Sequence, residues 1–154
     1  MIKHLIEEEI VLINEIAVKI TNETHEIRQI GDIRFIANFV KNSFNKDYYK
    51  KALAYCVSII VFHPFGNGNH RTSILSAENF LLKNGFKSFT NDKKDKELER
   101  FRLEYEEKHD LEREFFRITI IEDNEQRKSE INNVMNSEYG INIENWLKKN
   151  YKKK

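Results

Sequence analysis

The residues that helices tolerate least are rare in this chain, and half of them sit in one place. The 154 residues include one proline and five glycines, and positions 63–71, His63-Pro64-Phe65-Gly66-Asn67-Gly68-Asn69-His70-Arg71, hold the proline and two of the glycines. Proline removes a backbone donor and glycine carries the largest backbone entropy cost, so both interrupt helices. With so few elsewhere, the chain can run in long helices on either side of this stretch. An apolar run at 53–62 leads into it, and a second helical pattern at 72–84 leads out. A helix–loop–helix junction of this kind leaves unpaired N–H groups and partial positive charge at the start of its second helix. We place the function in this loop.

The remaining sequence reads as an all-α, single-domain protein over residues 1–154, long enough to bury a core. Ile2, Leu5, Ile6, Ile10, Ile13, Ile16, Ala17 and Ile20 recur at helical spacing and predict an amphipathic helix over 2–20. Ile33, Ile36, Ala37 and Val40 predict a short helix after Gly31-Asp32. The strongest helix expected covers 48–62, with a start signal at Asn45-Lys46-Asp47. It ends at His63, because Pro64 disfavours helical geometry in the residue before it. Another runs from about 69 to 84 and stops at Gly85. Residues 86–89 are either extended or a simple connector. From Asn91 onward the chain turns strongly charged, with two or three helices over 92–130 interrupted near His109-Asp110 and Asp123-Asn124. A last helix is expected at 143–151, anchored by Trp146 and Leu147, ahead of a frayed tail at Lys152, Lys153 and Lys154. In all, six to eight helices are expected.

Composition narrows the partners. A formal net charge of +1 offers no global field for nucleic acid or a membrane surface. No apolar run approaches the roughly 20 residues of a bilayer span, and the amino terminus lacks the long uncharged core of a signal peptide. The protein is expected to be cytoplasmic. The one cysteine, Cys56, lies in an apolar run and reads as a buried, reduced thiol. His4, His25 and His109 lack ligand-type neighbours at metal spacing and read as ordinary surface residues. The Lys/Glu-dense stretch around 92–114 reads as a water-facing helical surface.

In the loop each residue type has a chemical use. A neutral imidazole at His63 can take a proton from an attacking hydroxyl. Phe65 is the natural anchor into the core. Gly66 and Gly68 allow phosphate oxygens to approach the peptide N–H groups. Asn69 suits both a helix N-cap and a phosphate partner, and the Arg71 guanidinium offers a fork of donors to phosphate oxygens. Together these parts point to transfer of a phosphate-containing group onto a hydroxyl.

The stretch His63-Pro64-Phe65-x-x-Gly68-Asn69-x-Arg71 resembles the signature of the Fic/Doc family, matching its six fixed positions. The resemblance extends from about residue 2 to 90 and implies an all-α core with this loop between two helices. It implies an enzyme that uses ATP to modify a Ser, Thr or Tyr hydroxyl of a target protein. Most members transfer AMP, and the Doc branch transfers phosphate. On this resemblance His63 is the general base, and Gly66, Gly68, Asn69, His70 and Arg71 line the nucleotide phosphates. The region 26–44 would supply the flap that aligns the target chain, although it carries no clear hairpin signal.

The chain departs from the family pattern at two positions. Asn67 stands where the family has an acidic Mg²⁺ ligand, so a neutral amide would replace a charged oxygen and metal affinity should fall. His70 stands where Gly or Lys is usual, which leaves AMP transfer, phosphoryl transfer and a catalytically weakened nucleotide- or partner-binding module all open. Many members also carry an inhibitory Ser/Thr-x-x-x-Glu element. The nearest candidate here is Thr119-Ile120-Ile121-Glu122-Asp123-Asn124; otherwise restraint would come from an antitoxin-like partner or from the weak site itself.

Overall fold

A computed structural model describes residues 1–90 and 94–154. Among these, eight helices follow in order, with one small sheet. They are α1 (Glu7–Ile20), α2 (Ile30–Lys41), α3 (Tyr48–Phe62), α4 (Asn69–Lys83), β1 (Phe86–Ser88), α5 (Lys94–Glu106), α6 (Leu111–Thr119), α7 (Asn124–Met135), α8 (Glu138–Asn150) and β2 (Tyr151–Lys153). The fold is all-α, as expected. The onset of the charged segment at 91–93 lies outside the described residues.

Helix α3 is the axis of the molecule. Its N-cap is Asp47, whose side chain accepts from the Lys50 N–H at 3.0 Å. Twelve of its fifteen residues, from Lys51 to Phe62, are buried. Helix α4 lies along it, and α2, α6, α7 and α8 also pack on it. A helix buried all round carries apolar residues on every face, which is why residues 53–62 read as a continuous run. Lys51 is the exception. It is 1% exposed, and its ammonium donates to the carbonyls of Val40 and Ser43 at 2.8 and 2.7 Å, closing the carboxyl end of α2. Burial holds its pKa below the usual lysine range.

Two elements differ from the sequence reading for tertiary reasons. Helix α1 begins at Glu7 because the preceding backbone is engaged across the fold. The Lys3 N–H donates to Asn84 Oδ1 and the Leu5 N–H to the Tyr55 hydroxyl, at 2.8 and 2.9 Å. At the other end, residues 151–153 are not frayed. They pair antiparallel with β1, Ser88 opposite Tyr151 and Phe86 opposite Lys153. The Lys153 ammonium sits over the Tyr48 and Phe86 rings and donates to the Asn84 carbonyl.

Candidate active site at the α3–α4 loop

The loop leaves α3 through His63, which adopts a left-handed conformation with φ 50° and ψ 54°. Non-glycine residues enter that region rarely and at a cost. Pro64 and Phe65 then run antiparallel to residues 26–29 through one bridge, Ile27 opposite Phe65. The Arg28 N–H donates to the Pro64 carbonyl at 2.8 Å, and the Gly66 N–H to the Glu26 carbonyl at 2.7 Å. In this bridge Ile27 turns its own N–H and C=O away from the loop, and neither has a partner among the described residues. Phe65 is fully buried, as expected for the loop's anchor.

Asn69 has a different duty from the one its sequence position indicates. The N-cap of α4 is Gly68, at φ 72°, and Asn69 is the first helical residue. Its buried carboxamide reaches back to grip Phe65: Oδ1 accepts from the Phe65 N–H at 3.1 Å, and Nδ2 donates to the Phe65 carbonyl at 2.8 Å. That grip fixes the amide's orientation, so an NH₂ group faces His63 Nδ1 at 3.3 Å. A donor there favours the tautomer with hydrogen on Nε2 and leaves Nδ1 as the basic nitrogen.

His63 is an exposed residue that lines a cleft of about 1320 Å³. The cleft runs between residues 26–32, the end of α3, α6 and the α6–α7 turn. Partial desolvation lowers the His63 pKa, and the positive charges of Arg28 and Arg102 lower it further. Both effects favour the neutral imidazole, the state a base requires.

On the other side of the loop lie open donors. The first N–H of α4 with a helical acceptor is that of Thr72, which bonds the Gly68 carbonyl at 2.9 Å. The amides of Asn67, Gly68, Asn69, His70 and Arg71 have no acceptor among the described residues, and Gly68 provides no side-chain cap. A long helix that opens on unpaired amides, with Arg71 in its first turn, suits an anion. The Gly66 amide, by contrast, is committed to Glu26.

Two side chains at this helix start are met by acids of α5. Arg71 pairs with Asp95 at 2.9 Å, and His70 Nε2 lies 3.8 Å from a Glu99 oxygen. The Thr119–Asp123 element makes no ion pair with Arg71: Asp123 caps α7 through the Gln126 N–H at 2.8 Å, and Thr119 lines the same cleft as His63.

Asn67 presents a weak metal donor. Its Nδ2 donates to the Thr24 carbonyl at 2.9 Å, which leaves one neutral oxygen. Among the described residues no group of three or more His, Cys, Asp or Glu side chains gathers as a metal site. The residues present do not fit a Mg²⁺ ion held by the protein itself. Cys56 takes no part: it is buried, and desolvation pushes its thiol up to about 12.

With this geometry in hand, the comparison with known families is specific. A family model, Fic/DOC family, matches residues 4–81, just over half of the chain. The chain belongs to the Fic/DOC family. No match was found among curated proteins or among solved structures. The family match ends inside α4, so α5 to α8, including the acids that meet Arg71 and His70, lie beyond it. No helix among the described residues is long and apolar enough to cross a membrane.

Sequence reasoning missed two supporting residues. Asn14 and His25 are hydrogen-bonded to each other at 2.7 Å, and Asn14 also bonds the loop. A polar residue in the apolar rhythm of α1, between Ile13 and Ala17, was the available signal. His25 is not the free surface residue that its sequence surroundings suggest.

Proposed function

We propose that this Fic/DOC protein is a protein adenylyltransferase that transfers AMP from ATP to a Ser, Thr or Tyr hydroxyl of a target protein. The observation that carries the reading is a cleft-lining His63 followed within one loop by a row of unpaired amides and Arg71. The amides of residues 67–71 and the Arg71 guanidinium would hold the anionic phosphates. A target segment would lie extended along the unpaired edge of Ile27, which puts a hydroxyl side chain within reach of His63. The hydroxyl oxygen then bonds to the α-phosphorus as the bond to the bridging oxygen breaks. His63 takes the hydroxyl proton, and pyrophosphate leaves. Mg²⁺ would accompany the nucleotide, with Asn67 as one neutral ligand at most.

Arg71 can serve this role only when its ion pair with Asp95 parts. Helix α5 thus supplies the restraint that the family resemblance would assign to a separate antitoxin-like protein or to the 119–124 element. This contact also favours a second reading, in which the site binds nucleotide without turnover.

Incubating the purified protein and a cell lysate with ATP labelled at the α or the γ phosphate separates the readings. Adenylylation predicts α label alone on a protein band, reduced about 10²- to 10⁴-fold by His63→Ala, the span of a lost general base. Label from the γ position would move the assignment to phosphoryl transfer. Binding of ATP with no label from either would leave the non-catalytic module.

A further inference from the structure

Resting on the nucleotide reading above, we propose that Asn14, held by His25, is the positioning residue that turns the Gly68 amide toward the phosphates. Asn14 is fully buried in α1, and its whole carboxamide is in use. Nδ2 donates to the Asn67 carbonyl at 2.8 Å and to Thr72 Oγ1 at 3.0 Å, while Oδ1 meets His25 Nδ1 at 2.7 Å. A backbone carbonyl only accepts, so the NH₂ must face Asn67, the oxygen must face His25, and His25 must carry hydrogen on Nδ1. The orientation of the group is thereby settled.

The consequence follows from the peptide bond. No cis peptide is present among the described residues, so the C=O of Asn67 and the N–H of Gly68 point in opposite directions. Drawing that carbonyl toward α1 directs the Gly68 amide away from α1. The preceding peptides are set otherwise. The Pro64 carbonyl is held by Arg28, the Phe65 carbonyl by Asn69, and the Phe65 and Gly66 amides are both occupied. Of the free donors, the Asn67 amide comes just before the peptide that Asn14 holds, and those of Gly68 to Arg71 follow from it. Gly68 is shaped for the same contact: a Cβ there would come within 2.9 Å of Val18 and 3.4 Å of Asn14 Nδ2. Only glycine lets the loop sit this close to α1. Burying an amide among Ile10, Ile13, Ala17 and Val18 is costly unless its bonds are made, and here all three serve the loop or its support.

A purely structural tie between α1 and α4 would run equally through Thr72, which gives the control. Asn14→Ala, Thr72→Val and His25→Phe are compared with wild type by ATP–Mg²⁺ titration and by the Gly68 amide resonance in a ¹⁵N-correlated spectrum, where five glycines make assignment simple. Asn14→Ala is expected to weaken ATP about 10- to 100-fold and to move the Gly68 amide. Thr72→Val is expected to lower the melting temperature while leaving both readouts near wild type. His25→Phe, made outside the core, follows Asn14→Ala in direction and serves if that variant does not fold. His25→Gln, which restores a donor, recovers both readouts. Wild type that binds no ATP overturns the nucleotide reading and this inference with it. Wild type that binds, with Asn14→Ala and His25→Phe unchanged in affinity and in the Gly68 amide, overturns this inference alone.

Discussion

Helices α3 and α5 flank the same loop, and they could hardly be built more differently. Helix α3 buries twelve of its fifteen residues, whereas α5 buries one of thirteen, Leu98. The first fixes where the loop begins through dispersion and apolar burial, which involve no charges for ions to screen or protons to titrate. The second reaches the loop through the ion pair of Asp95 with Arg71, with Glu99 beside His70. Charge contacts at a partly exposed surface are weak and screened. His63 is therefore set on a buried element, and Arg71 is covered by one that can be displaced.

The contrast breaks first at the core. Phe80 is fully buried in α4 against Tyr55 and Tyr48, so Phe80→Ala should cost about 3–5 kcal/mol of stability. The exposed Leu103 of α5, replaced by alanine, should move urea unfolding by less than about 0.5 kcal/mol. Comparable losses at the two sites would show α5 to be part of the core. Next in size is Asp95→Asn. Releasing Arg71 should tighten ATP binding several-fold, measured by titration, while stability changes by less than about 1 kcal/mol. Weaker binding in that variant would mean that Asp95 supports the site instead of covering it.

The pH dependence sharpens the side of the comparison that concerns the base. His63 has its pKa lowered, by desolvation first and then by Arg28 and Arg102. A group so depressed stays neutral further into acid, so the acid limb of activity should lie below pH 6.5. Stability runs the same way. A neutral His63 in the fold contributes stability above the unfolded pKa, and that contribution is lost as pH falls through the folded one. Arg28→Ala removes one positive charge and should shift the acid limb upward toward 6.5, read from pH–rate profiles. The smallest effect is expected from salt. Raising ionic strength from ~0.1 to ~1 M shortens the screening length from ~10 to ~3 Å. Amide exchange in α5 should quicken slightly while α3 is unchanged.

How legible each part was follows from what stabilises it. Tyr48–Phe62 was readable to the residue because its cap, its apolar run and its proline stop are all local. The breaks near His109-Asp110 and Asp123-Asn124 were readable for the same reason, since Asp110 and Asp123 cap the helices that follow them. The start of α1 and the pairing of residues 151–153 were not, because their backbone partners lie far away in sequence. Asn69 looked like an N-cap but grips Phe65, and the carboxylate that meets Arg71 is Asp95 of α5.

From its own order of residues the chain settled the helical class, the position of the loop and the chemical types gathered there, since each depends on neighbours within a few positions. Tertiary packing alone decided which of those groups remain free. Whether an amide is open or taken, and whether a guanidinium faces solvent or a carboxylate, depends on elements brought alongside from elsewhere: residues 26–29 on Gly66, Asn14 on Asn67, and Asp95 on Arg71.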